Sequence, residues 1–84
     1  MKPIRLSGHA RGYIHSRGFT EREVEETIRT APWGPAELDR LEARKDFPFG
    51  RDWNGKRYGT KQVRPVFVEE ADEIVVVTVY TYYF

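Results

Sequence analysis

The chain of 84 residues has room for one hydrophobic core, since single domains span about 50 to 200 residues, and residues 1–84 are read as a single domain. It lacks cysteine and holds only His9 and His15, which excludes disulfides and thiol chemistry; with no carboxylates at ligand spacing, neither a metal nor another cofactor is expected. Charged residues at 32% against 39% hydrophobic and 14% aromatic describe a foldable, soluble composition, and a net charge of +1 does not by itself demand a polyanionic partner.

Ile4-Arg5-Leu6 has the pattern of a short strand, and Ser7 offers an N-cap hydroxyl for a helix running to about Arg17, closed by Gly18 as a left-handed cap. Thr20-Glu21-Arg22-Glu23 is a capping box that opens a second helix, with Phe19 positioned to staple onto Val24 and Pro32 as the stop. Pro32-Trp33-Gly34-Pro35 forms a rigid loop, and Ala36 to Ala43 is compatible with either a short helix or a strand. Phe47-Pro48-Phe49-Gly50 and Asn54-Gly55 are turn signals, the second favouring a tight hairpin. Gln62 to Glu69 and Ile74 to Phe84 are strands joined by the polar turn Glu70 to Glu73. No segment has the make-up of an export signal or a membrane span, and a cytoplasmic location is expected.

Period-two alternation places Val75, Val77, Val79, Thr81 and Tyr83 toward the helices and Ile74, Val76, Thr78, Tyr80, Tyr82 and Phe84 on the opposite, open face, unless a one-residue bulge inverts the assignment. On the preceding strand Val63, Pro65 and Phe67 form the helix-facing set, so Arg64 joins Thr78 and Tyr80. The expected architecture is α+β, with an N-terminal helix pair packed on one face of a twisted, mostly antiparallel, four- to five-stranded sheet.

Ser7-Gly8-His9-Ala10, Arg17-Gly18-Phe19-Thr20, Trp53-Asn54-Gly55, Lys61-Gln62-Val63-Arg64-Pro65-Val66-Phe67 and Val75-Val76-Val77-Thr78-Val79-Tyr80 occur in an order and spacing that resembles the small prokaryotic family "domain of unknown function 4258". The resemblance covers nearly the whole chain. It implies a RelE-like fold and a metal-independent endoribonuclease, the toxin of a toxin–antitoxin pair, whose partners are RNA, free or ribosome-associated, and a cognate antitoxin protein. Family members often carry Arg where this chain has Tyr13, so Arg11 or Arg17 is expected to take over its phosphate contact.

Such a reaction needs a base for the 2′-hydroxyl proton, an acid for the leaving 5′-oxygen, and cations for the developing phosphorane charge. His9 is the candidate acid or base, because imidazole titrates near neutral pH; its alternative role is a structural hydrogen bond near the Ser7 cap. Lys61 and Arg64 complete the catalytic set as phosphate-binding cations, or else form a solvated strand edge. Arg11, Arg17, Thr78 and Tyr80 are assigned to RNA binding, Tyr80 as a hydrogen-bond donor or a stacking ring, with an ordinary strand role as the alternative for Thr78 and Tyr80. Trp33, Trp53, Phe47 and Phe49 are read as core closure.

A helix-turn-helix over Gly8 to Ala31 is disfavoured, since Glu21, Glu23, Glu25 and Glu26 would repel DNA from the recognition helix. The rival reading is a non-catalytic protein-binding module that uses the aromatic-rich sheet face.

Overall fold

A computed structural model describes residues 2–84. The elements run β1 (Ile4–Leu6), α1 (Gly8–Arg11), α2 (Ile14–Arg17), α3 (Glu21–Thr30), β2 (Gly34–Pro35), β3 (Leu41–Glu42), β4 (Lys45–Trp53), β5 (Lys56–Glu69) and β6 (Ile74–Tyr83). The long strand β5 is the spine of the sheet. It pairs along one side with β6, and along the other with β4 over its first half and β3 near its end. β1 joins the far side of β6 in parallel, and β2 extends β3 antiparallel.

The expected helix pair on a four- to five-stranded RelE-like sheet is therefore corrected. Among the described residues the sheet has six strands, three short helices accompany it, and strand is the dominant state. Two local causes account for the difference. The expected Ser7 to Arg17 helix starts as anticipated, with Ser7 Oγ accepting from the Ala10 amide at 3.1 Å, but it breaks at Gly12, where the Tyr13 amide reverts to a tight three-residue bond with the Ala10 carbonyl. Glycine inside a helix costs about 1 kcal/mol relative to alanine, and this break leaves two four-residue helices. The segment left open between helix and strand, 36–43, is a hairpin turn and the short strand β3. Phe47-Pro48-Phe49-Gly50, anticipated as a turn, instead lies inside β4 at a bulge, with Gly50 at φ +61°.

Other signals act as anticipated. Thr20 and Glu23 form the reciprocal capping box, with bonds of 3.1 and 3.0 Å, and Asn54-Gly55 turns the β4–β5 hairpin at φ +50° and +83°, as a type I′ turn requires. Gly18 takes the left-handed cap at φ +73°, and a β-carbon there would strike the Tyr83 hydroxyl and the Trp53 ring.

All three helices cover one face of the sheet. Ala10, Phe19, Val24 and Ile28 meet Val63, Phe67, Ile74, Val76 and Val79 in one continuous core. The β5–β6 register slips between Val66 and Phe67, whose partners are Thr78 and Val76. Val77 is thus an extra residue in β6, and it shifts the alternation by one. Before it Ile74 and Val76 are buried; beyond it Val79 is buried and Tyr80 and Tyr82 are exposed. The expected inward facing of Val75 and Val77 is corrected accordingly, while the outer half of the strand follows the simple alternation.

Beneath the α2–α3 turn lies a buried ion pair. The Lys61 ammonium reaches Glu23 at 2.8 Å and donates to the Gly18 carbonyl at 3.0 Å, with the Lys61 side chain 4% exposed and Glu23 19%. Removing one member of a buried pair costs about 3 to 5 kcal/mol, whereas an apolar replacement of similar volume can be near neutral. Glu23→Ala is therefore expected to lose about 3 kcal/mol or more in urea unfolding, and adding Lys61→Met should recover only part of that loss, because the Gly18 carbonyl then loses its ammonium donor. Leu38 and Asp39 are a second test. Both sit at φ +59° in the turn before β3, and Leu38 is 79% exposed, so Leu38→Asn should raise stability by about 0.5 to 1 kcal/mol, seen as a higher Tm.

Candidate nucleic-acid interface

The site is built on the sheet face that the helices leave open, and its first cation is set by backbone anchoring. The Arg17 carbonyl at the end of α2 accepts from Thr81 Oγ1 at 2.6 Å and from the Tyr83 hydroxyl at 2.8 Å. Burial pushes the Tyr83 phenol above its ordinary value, so it remains a donor at neutral pH. With its backbone held, Arg17 extends its guanidinium across the free edge of β6, donating to the Val79 carbonyl at 2.8 Å and Thr78 Oγ1 at 3.3 Å. The guanidinium carbon lies 3.8 Å from the Tyr13 ring centre and 5.1 Å from that of Tyr80. Among the described residues no carboxylate forms an ion pair with Arg17; all these partners are neutral or aromatic.

The second cation is Arg64, directly opposite Tyr80 in the β5–β6 register. It donates to the Tyr82 hydroxyl at 3.0 Å and to Glu42 at 2.9 Å, and its guanidinium carbon is 5.2 Å from the Tyr80 ring centre. Arg64 Nε is buried without a partner, a donor with unspent hydrogen-bonding capacity. Glu42 also accepts from Arg44 at 2.9 Å. Arg44 first and Arg64 second hold the Glu42 carboxyl below the usual carboxylate range, and Glu42 in turn raises Arg64 above its ordinary value.

Between these groups and the turn before β3 lies an open hollow of about 510 Å³, lined by Arg40, Glu42, Arg64, Val66, Thr78 and Tyr80 among others. The Arg40 and Arg64 guanidinium groups, the Thr78 hydroxyl and the half-exposed Tyr80 ring, beside the Glu42 carboxylate, give this hollow a polar lining with a cationic and an aromatic side. His9 does not line the hollow; it is exposed on α1, with its ring edge-on to Tyr13 at 5.1 Å. His9, Tyr13, Arg17, Tyr80 and Arg64 thus form one continuous row.

The structure brings His9, Arg17, Arg64, Thr78 and Tyr80 to this row. It does not bring Lys61 or Arg11. Lys61 alternates with Arg64 along β5 and points through the sheet to the helices, where Glu23 and the Gly18 carbonyl consume its ammonium; its assignment as a phosphate ligand is corrected to a structural one. Arg11 is turned to Glu21 at 2.8 Å, and of the two arginines named to replace the family residue at Tyr13, Arg17 is the one whose guanidinium lies on the Tyr13 ring.

Sequence reasoning missed Arg40 and Glu42; it placed Tyr82 on the open face without a role and gave Tyr13 no part in the site. Tyr82 was legible because it shares the alternation of Thr78 and Tyr80. Glu42 was not, since it reaches Arg64 only through the pairing of β3 with β5. Comparison of the chain with protein-family models, curated proteins and solved structures finds no match.

The Glu42 shift fixes the sign of a pH effect. A carboxyl lowered in the folded state stabilises fully above its unfolded value, and that contribution is lost as pH falls through the folded value. The stability difference between the wild type and Glu42→Gln, measured by urea unfolding, is expected to be flat from about pH 7 to 5 and to shrink below about pH 4.

Proposed function

We propose that this chain is an RNA-directed endoribonuclease of the small prokaryotic toxin type, acting in the cytoplasm, with the open sheet face as its substrate site. The observation that supports this reading is Arg17, a partly buried guanidinium with no carboxylate partner among the described residues, converging with Arg64 on Tyr80. A phosphodiester supplies the charge that Arg17 lacks. The ordered motifs that resemble the domain of unknown function 4258 family support the ribonuclease and toxin class.

In this mechanism His9 takes the proton of a 2′-hydroxyl at the rim of the row. The 2′-oxygen then bonds to the adjacent phosphorus, and the bond to the 5′-oxygen breaks. Water, which has free access to the exposed face, protonates the departing oxygen, leaving a 2′,3′-cyclic phosphate and a 5′-hydroxyl. Arg17 and Arg64 stabilise the charge that builds on the phosphorane oxygens, and Thr78 and Tyr80 position the nucleotide. No metal is required by this scheme. A cognate antitoxin covers the same face in the resting complex, adding buried area that a domain of this size is short of.

A non-catalytic protein-binding module is the second reading, favoured by the exposed rings of Tyr80, Tyr82 and Phe84. The two separate in one assay. Incubated in chelator with a labelled mixed-sequence RNA, the wild type is expected to leave 2′,3′-cyclic phosphate ends, and His9→Ala should slow cleavage about 100-fold or more. Arg17→Ala and Arg64→Ala should each slow it about 10- to 100-fold. RNA that stays intact with free and ribosome-bound substrate alike would sink the nuclease reading and leave the binding module.

A further inference from the structure

Beyond Tyr80, the open face continues along β6 as a line of rings that the cleavage scheme does not use. Tyr80, Tyr82 and Phe84 are 39%, 43% and 60% exposed, while Tyr83 between them turns its hydroxyl to the helix side. Phe84 is kept in line by reciprocal backbone bonds with Thr60, at 2.9 and 3.1 Å. On β5, Arg64 and Gln62 lie opposite Tyr80 and Tyr82. The acid nearest in register, Asp46, is engaged by the Gln62 amide at 3.0 Å.

The spacing of this line selects its occupant. Side chains two residues apart on one strand face recur about every 6.5 Å, roughly twice the 3.4 Å between bases stacked within one nucleic-acid strand. A duplex strand, with its bases stacked and paired, cannot put one base on each ring. An extended single strand with splayed bases can, and aromatic platforms accept any base because every base has a π-face. The line begins at Arg17 and Arg64, the cations suited to its backbone.

Given that the face binds RNA as proposed above, we infer that Tyr82 and Phe84 are stacking subsites for the two nucleotides beyond the one at Tyr80. The site then takes an extended, unpaired segment of three nucleotides and tolerates varied sequence along it.

The test is fluorescence anisotropy with a labelled 2′-O-methyl RNA hexamer, which has no 2′-hydroxyl to react, alongside the matching dimer and duplex. Tyr82→Ala and Phe84→Ala are each expected to weaken hexamer binding by roughly 5- to 100-fold. Phe84→Ala should leave dimer binding unchanged, and the duplex should not compete. Tyr82→Phe keeps the ring while removing the hydroxyl that accepts from Arg64, and it is expected to bind within about twofold of the wild type, which separates stacking from positioning of Arg64. Both rings are exposed, and thermal melts confirm that the variants fold. Hexamer binding that depends on Arg64 but is unchanged in both alanine variants, or equal binding of the duplex, would overturn the stacking line while leaving the RNA site standing. A wild type that binds no RNA at all removes both and assigns the stripe to a protein partner.

Discussion

Two carbonyls at the end of α2 hold the molecule together. Those of Arg17 and Gly18 point toward the sheet at a left-handed turn, where helix geometry offers them no amide, and three side chains from the sheet supply the donors: Thr81, Tyr83 and Lys61. Buried carbonyls without partners are costly, so the helices can settle only where these donors lie. Lys61 extends the anchorage to Glu23, which also closes the capping box of α3. One residue thereby fixes the start of α3, its position over β5 and, through Gly18, the placement of Arg17. The Trp53 and Tyr83 rings, stacked 4.8 Å apart, close the same turn from the β4–β5 hairpin and leave no room for a side chain at Gly18.

The bulge at Val77 has a complementary effect on the sheet. Without it, the face that buries Ile74 and Val76 would go on to bury Thr78, Tyr80 and Tyr82, and Val79 would face water. The extra residue lets a single strand contribute aliphatic side chains to the core at both ends of the slip and a polar, aromatic row to the open face. Its cost to the ladder is reduced by β1 and α1, since the Ser7 amide donates to the Val76 carbonyl at 2.9 Å and its hydroxyl to the Val77 carbonyl at 3.3 Å. Bulges of this kind re-aim side chains beside functional sites.

Charge is distributed with the same division of labour. Near-zero net charge conceals a contrast between cations neutralised by specific acids, such as Lys61 by Glu23 and Arg11 by Glu21, and Arg17, whose neighbours are a carbonyl, a hydroxyl and aromatic rings. Arg64 is intermediate, shared with Glu42 but retaining a buried, unpartnered Nε. Counting charges along the chain ranks all of these alike. Pairing separates them, because a guanidinium already bonded to a carboxylate has less to offer a phosphate.

What the sequence by itself determined was local. The Ser7 cap, the Thr20–Glu23 box, the Gly18 cap and the Asn54-Gly55 hairpin depend on bonds and dihedral preferences within a few residues, and alternation along β5 was enough to put Arg64 beside Tyr80 because that strand is continuous across the face. The tertiary structure alone decided the rest. Which cations are spent in ion pairs, where β6 slips its register, and the entry of Glu42 into the site through β3 all depend on pairings between segments tens of residues apart. Lys61 and Arg64 show both: alternation, legible in the sequence, already sends residues three apart to opposite faces of the sheet, whereas only the fold brings Glu23 and the Gly18 carbonyl onto Lys61. One locks the helices, and the other lies on the open face, shared with Glu42 and Tyr82.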